Sequence, residues 1–436
     1  MRRSLLTACL ATLLLGASVA LSALPSHSNP SVDVSTFNRS TSVESTSLYC
    51  VGGSTAGRVG TGGVKFWNSS NETRHLDIRS AVDTSFIDTT ATIPPKKTLF
   101  VPATRTLPGS ISVRAQIDGG GVVGSLFTTS LDSTSVPCQS EGVTNWYVAG
   151  LSTVTGTASR VTLLNPSATP AVVDVATQSS LGFLAPAPYQ GLVVPANGQL
   201  TLRLGEVIVD ASELAVHITA LRGSFVAAAL YVNGERASVL TGQSDVATDA
   251  SYASVNTNAD ATETLKLYNP GETATRVKIK LALPGFQISP ISVDINPSAT
   301  MSVVIVPATR VPTAGWGSLR VTSTQGVIST LLSGGSGFVR LSSPTARGTT
   351  LAWISAMAHQ GKVRVAPVDG KNIVITFTHF EGRRSITTDL KASAGEPVTA
   401  PDAWVAANYG LVSAKTPLLM QGVVGTTGLE SGLNGR

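Results

Sequence analysis

One pentapeptide constrains this chain more than any other feature. Val101-Pro102-Ala103-Thr104-Arg105 returns letter for letter as Val306-Pro307-Ala308-Thr309-Arg310, 205 residues later. A shorter copy, Val194-Pro195-Ala196, stands between them, so the spacing is two steps of about 102 residues. Other landmarks keep the same step. Phe66-Trp67-Asn68-Ser69, Leu164-Asn165-Pro166, Tyr268-Asn269-Pro270 and Val365-Ala366-Pro367 each end a short apolar run at a turn. Upstream of them lie the aromatic-led segments Leu48-Tyr49-Cys50-Val51, Trp146-Tyr147-Val148-Ala149, Tyr252-Ala253-Ser254-Val255 and Ala352-Trp353-Ile354-Ser355. Each unit closes on two apolar runs joined at a Gly or charged turn and read as a hairpin, such as Leu214 to Leu221 followed by Phe225 to Val232. In the third copy Leu319-Arg320-Val321 is followed by Gly326-Val327-Ile328-Ser329-Thr330-Leu331. Self-similarity at this length predicts successive units of about one hundred residues, each with its own core.

Within a unit the period is two. Arg160-Val161-Thr162-Leu163-Leu164, Thr264-Leu265-Lys266-Leu267-Tyr268 and Lys362-Val363-Arg364-Val365 alternate polar and apolar residues, as half-buried strands do. Only 13% of residues are charged against 42% hydrophobic, with 41 Gly and 23 Pro, which disfavours helical bundles and suits strands. Turn signals such as Asp118-Gly119-Gly120, Asn233-Gly234 and Asp369-Gly370 cut each unit into roughly six to eight strands. The predicted fold is therefore all-β, with tandem immunoglobulin-like β-sandwich repeats over residues 47–140, 141–245, 246–345 and a divergent 346–426. The alternative is a β-propeller with two four-stranded blades per unit. Segment 24–46, rich in Ser, Thr, Asn and Pro, reads as a polar stalk, and 427–436 as a tail.

Residues 1–23 read as an export signal. Met1-Arg2-Arg3-Ser4 carries positive charge, an apolar run extends from Leu5 to Leu24, and small residues from Ala17 to Ala23 offer a cleavage site after Ala20 or Ala23. The run of ~20 residues is also long enough to stay as an uncleaved anchor, but the small residues favour cleavage. Cys9 is not a lipoprotein cysteine, because most of the apolar segment follows it, and Arg2-Arg3 lacks the rest of a twin-arginine signal. General secretion is the expected route, to an extracellular or cell-envelope location. Removal of Cys9 leaves Cys50 and Cys138 in an oxidising compartment, which predicts a disulfide between them. A net charge of +5 spread over the chain gives no nucleic-acid footprint.

Reactive constellations are incomplete in the sequence. Gly242-Gln243-Ser244-Asp245-Val246 lacks the closing glycine of a nucleophile elbow. His75, His217, His359 and His379 have no metal-ligand spacing. Alternation places His75 and His217 on the polar faces of strands and points His379 toward an apolar side. A Ser/His/Asp set from His359 or His379 with Asp369 or Asp389 assembles only on paper, as does a Glu381/Asp389 glycosidase pair. Gly52 to Gly57 and Gly334 to Gly337 read as loops. No catalytic residue, metal ligand or cofactor is assigned. Two tryptophans remain as weak binding candidates, Trp316 and Trp404, each placed before a closing strand where an exposed indole would stack on a sugar. The competing reading, a ring plugging the open end of a sandwich, is preferred because large aromatics are mostly buried. Trp146 and Trp353 read as core.

An export signal followed by copies of an aromatic strand, an alternating strand ending in Asn-Pro, a Val-Pro-Ala edge and a closing hairpin resembles a family of secreted actinobacterial proteins defined only as a domain of unknown function. The resemblance spans most of residues 45–426. It implies an envelope role, since genes of that family lie near cell-envelope glycosyltransferases, and it carries over no catalytic residue. The expected function is a non-catalytic envelope protein, a rod of sandwiches that binds or spaces wall components, with cell-wall polysaccharide or an envelope protein as partner. It expects no nucleic acid, and membrane contact only through an uncleaved N-terminal segment. The alternative is a secreted hydrolase or glycan-processing enzyme with an inter-domain site around His359, Asp369 and His379.

Overall fold

The computed structural model describes residues 31–32, 34–38 and 46–423, apart from 55–59, 83–84, 103–109, 130–131, 235, 307–310, 313–314, 336–337, 346, 356–361, 369–371, 382–383, 394–395 and 408. The export signal, the tail, His359, Asp369 and the Ala-Thr-Arg portions of the repeated pentapeptide lie outside the described residues.

The chain is nearly all strand. Two short strands come first, β1 (Ser31–Val32) and β2 (Val34–Asn38). The first unit then contains β3 (Ser47–Ser54), β4 (Gly60–Asn68), β5 (Arg74–Val82), β6 (Ser85–Ile93), β7 (Thr98–Pro102), β8 (Ser110–Ile117), β9 (Val122–Thr129) and β10 (Asp132–Pro137). They pair as one sheet ordered β3-β8-β5-β6 and a second ordered β7-β4-β9-β10. The second unit contains β11 (Asn145–Leu151), β12 (Thr157–Leu164), β13 (Ala171–Ser179), β14 (Gly182–Leu184), β15 (Leu192–Val194), β16 (Gln199–Arg203), β17 (Leu214–Arg222), β18 (Val226–Asn233) and β19 (Arg236–Leu240). Its sheets are β11-β17-β13, with β14 and β15 on the far edge, and β16-β12-β18-β19.

The third unit contains β20 (Ala247–Asn256), β21 (Thr262–Asn269), β22 (Thr275–Ala282), β23 (Ile291–Ile295), β24 (Ala299–Val306), β25 (Trp316–Gly335) and β26 (Phe338–Ser342). The fourth contains β27 (Arg347–Ser355), β28 (Lys362–Pro367), β29 (Ile373–Glu381), β30 (Arg384–Ala392), β31 (Val398–Thr399), the short helix α1 (Asp402–Ala406) and β32 (Tyr409–Val423). The strand order is again the same. β20-β25-β22-β23 faces β24-β21-β25-β26, and β27-β32-β29-β30 faces β31-β28-β32. Each pair of sheets encloses an apolar core, for example Trp146, Val161, Val175 and Phe225 in the second unit. A propeller is thereby set aside, because the paired sheets face one another across a core instead of standing as blades round an axis.

Three local expectations are corrected. The two closing runs of a unit form no hairpin: β17 pairs with β11 and β13, whereas β18 pairs with β12 and β19, so the chain crosses from one sheet to the other between them. In the third unit no turn exists at Gly326, and the single strand β25 passes through both sheets. Gly52 and Gly53 belong to β3 at a bulge, and Gly334 and Gly335 to β25, not to loops. Gly52 has φ +104°, and a Cβ there would lie 2.7 Å from Ala228 and 2.8 Å from Val239 of the second unit. Part of the expected stalk is also strand: β1 pairs in parallel with β10, and β2 pairs with β27 of the fourth unit.

An asparagine organises the turn after the second strand in three units. Asn68 Nδ2 donates to the carbonyls of Glu72 and Ile93, Asn165 Nδ2 to those of Thr169 and Val194, and Asn269 Nδ2 to those of Thr273 and Ile295. Each Oδ1 accepts the backbone N–H two residues on, at Ser70, Ser167 and Gly271. A tight turn with positive φ faces each one, at Lys96 (59°), Asn197 (51°) and Ser298 (46°). The buried amide thus satisfies carbonyls that a strand ladder cannot reach.

The units do not form a rod. Directly paired residues on the outer face of the second sheet, Leu164 with Val226, Tyr268 with Ile328, and Ala366 with Leu419, each pack against the preceding unit. Trp67 with Val123 in the first unit packs in the same way against Phe380, Tyr409 and Leu411 of the fourth. The series of contacts within residues 31–425 therefore closes on itself, as a head-to-tail interface does when its rotation completes a ring.

Candidate functional site

The outer face of the first unit's β3-β8-β5-β6 sheet carries two rows of polar side chains. Cross-strand register aligns Ser47, Gln116, Asp77 and Thr90 in one row, and Tyr49, Arg114, Arg79 and Asp88 in the next. Alternation creates the rows, since the intervening Leu48, Ala115 and Ile78 point into the core. With Asn197 of the second unit as one wall, Asp77, Thr90, Gln116, Arg79, Asp88 and Arg114 line an open groove of about 750 Å3, while Tyr49 at the row's end is buried.

The groove is held by its own hydrogen bonds. Arg79 makes a bidentate pair with Asp88 at 2.7 and 2.8 Å, which holds the Asp88 carboxyl below the usual range. Arg114 donates to Asn197 Oδ1 at 2.5 Å and lies 6.0 Å from the Tyr49 ring centre. Ser47 donates to Gln116 Oε1 at 2.9 Å. Asp77 and Thr90 have no side-chain partner among the described residues and remain open to the groove. Two carboxylates and two guanidiniums balance, so the surface is dense in donors and acceptors without net charge. The equivalent face of the second unit is more closed: His217 stacks on Tyr147 at 4.1 Å, bonds Thr219 at 3.0 Å, and is pushed down in pKa by burial.

The sequence-derived candidates fare differently. Trp404 is 1% exposed, forms an edge contact with Phe377 and donates to the Thr378 carbonyl at 2.9 Å. It is a core plug, the reading preferred from the sequence, and its weaker candidacy as a sugar platform is set aside. Trp316 lies half-buried at the seam between the third and fourth units, with the Arg364 guanidinium 4.5 Å above its ring. That face is already taken. Arg364 stands two residues before Ala366, as Lys266, which pairs with Glu213 at 2.8 Å, stands before Tyr268. In these two strands the cation belongs to the docking face, whereas β12 carries Thr162 at that position. The Cys50–Cys138 disulfide is formed. Trp146 is core, whereas the Trp353 side chain lies outside the described residues.

His379 is 6% exposed, with Glu381 at 4.0 Å. His75 is exposed on a strand face. No group of three or more potential metal-ligating side chains occurs among the described residues. No described helix is long and apolar enough to cross a membrane. Asp77, Arg79, Arg114 and Gln116 were not singled out from the sequence, because the rows they form depend on strand register.

Among solved structures the chain is similar to Thermotoga maritima 1070, at 17% identity over 22% of this chain and 90% of that one, with a TM-score of 0.20. It is similar to the Anabaena sensory rhodopsin transducer at 17% identity over 20% and 98%, with a TM-score of 0.17. It is also similar to Streptomyces avermitilis α-L-rhamnosidase complexed with L-rhamnose, at 7% identity over 82% and 54%, with a TM-score of 0.13. At these scores none of the three bears on function. No curated protein matches the chain. The model of a family of unknown function, DUF5719, matches residues 132–412, and the chain belongs to that family.

Proposed function

We propose that the chain is an exported, non-catalytic binding scaffold of the cell envelope, with a polyhydroxylated ligand such as wall polysaccharide seated in the groove of the first unit. The observation that carries this reading is the pair of polar rows Ser47-Gln116-Asp77-Thr90 and Tyr49-Arg114-Arg79-Asp88, rich in hydrogen-bonding groups and balanced in charge. Such a surface suits a neutral ligand with many hydroxyls, because each hydroxyl both donates and accepts. The disulfide fits export to an oxidising compartment. The contact between the fourth and first units argues for a compact binding platform over an extended spacer.

The test is retention on purified cell-wall polysaccharide, with Asp77→Ala and Gln116→Ala compared with Trp316→Ala. The groove variants are expected to lose binding at least tenfold while Trp316→Ala keeps it. Equal retention by all three proteins would remove the groove from the reading. Release of shortened polysaccharide during the incubation would replace the scaffold with a hydrolase.

A further inference from the structure

The same outer face of the third unit has the opposite character. Its rows read Asp249-Thr322-Lys278 and Ser251-Arg320-Lys280 by register. Where the first and second units carry Asp77 and Asp174 on this strand, the third carries Lys278. Lys278 and Lys280 are exposed and have no partner among the described residues. Lys280 stands directly opposite Arg320, an unfavourable like-charge pairing. The nearby carboxylate is already shared: Asp249 accepts bidentate bonds from Arg320 at 2.8–3.0 Å and from Arg347 at 2.8–2.9 Å. Asp294 is likewise taken by Arg276. Positive charge is left over on this sheet face, with side chains about 5–8 Å apart along and across the strands.

We propose that this face of the third unit binds a linear anionic polymer by charge complementarity. A strip of cations along adjacent strands matches repeated acidic groups along an extended chain better than one small anion. The site is independent of the groove on the first unit.

The test is fluorescence anisotropy of labelled linear polyphosphate and polygalacturonate, with labelled dextran as the neutral control, at low and high salt. K278Q/K280Q is compared with R384Q/K391Q, which removes the same charge from exposed positions on β30, and thermal melts check that both fold. The wild-type chain is expected to bind at least one polyanion at low salt and not dextran. K278Q/K280Q should weaken that binding about tenfold and R384Q/K391Q less than twofold, with the contrast fading at high salt as charges are screened. The tighter polymer names phosphate or carboxylate as the acid recognised. Equal weakening by the two variants, or no polyanion binding by the wild type at low salt, would overturn the proposal. Asp77→Ala is expected to leave polyanion binding unchanged, which separates this inference from the groove.

Discussion

Glu263 is the residue whose chemistry depends most on its surroundings. It is 1% exposed at the start of β21, where Oε1 accepts the Asn256 N–H at 2.9 Å and Oε2 the Ser333 hydroxyl at 2.6 Å. Burial outweighs those bonds and pushes its carboxyl up to about 8 from 4.5. The folded state therefore holds a proton that the unfolded chain releases at lower pH. Its contribution to stability is complete below pH 4.5 and declines as the pH rises through about 8. Chemical denaturation at pH 5 and pH 8 is expected to show a fall in unfolding free energy, at up to about 1.4 kcal/mol per pH unit from this group. Glu263→Gln should flatten that part of the fall, and an unchanged profile would place the carboxylate in water. In the sequence Glu263 is simply one polar residue of an alternating strand, because its burial depends on Asn256 and Ser333 closing over it.

At the scale of elements, the asparagine corners bind strand ends to turns. Asn165→Ala would leave the carbonyls of Thr169 and Val194 and the N–H of Ser167 without their partner. At about 1–3 kcal/mol for a buried group left unsatisfied, the expected loss is roughly 2–4 kcal/mol, read as a shift in urea midpoint. A loss confined to a few tenths would mean that water replaces the amide. The Asn-Ser and Asn-Pro landmarks at Asn68, Asn165 and Asn269 marked these turns in the sequence. The disulfide was legible too, from two cysteines in an exported chain. The closing strands were not: apolar runs joined by Gly look alike whether they pair with each other or, as in β17 and β18, enter opposite sheets.

At the scale of the whole molecule, the seam between the fourth and first units joins an aromatic cluster to the backbone pairing of β1 with β10 and of β2 with β27. Trp67 is fully buried there, 5.3 Å from Tyr409 and 5.8 Å from Phe380, while the Tyr409 hydroxyl donates to the Lys96 carbonyl at 2.9 Å. Trp67→Ala is expected to cost about 3–5 kcal/mol, in the range of large aromatic truncations, and to raise the radius of gyration in small-angle scattering as the seam opens. An unchanged scattering curve would mean that other contacts hold the ring. The sequence by itself determined the strands, their two-residue alternation, the turn asparagines and the cysteine pair, because each is fixed by neighbours a few residues away or by composition. Only the tertiary structure decided that Trp316 lies under Arg364, that Asp77 and Gln116 share a row, and that the last unit returns to the first. Those outcomes depend on which sheet faces meet across tens or hundreds of residues, and a one-residue change of register would turn every side chain to the other face.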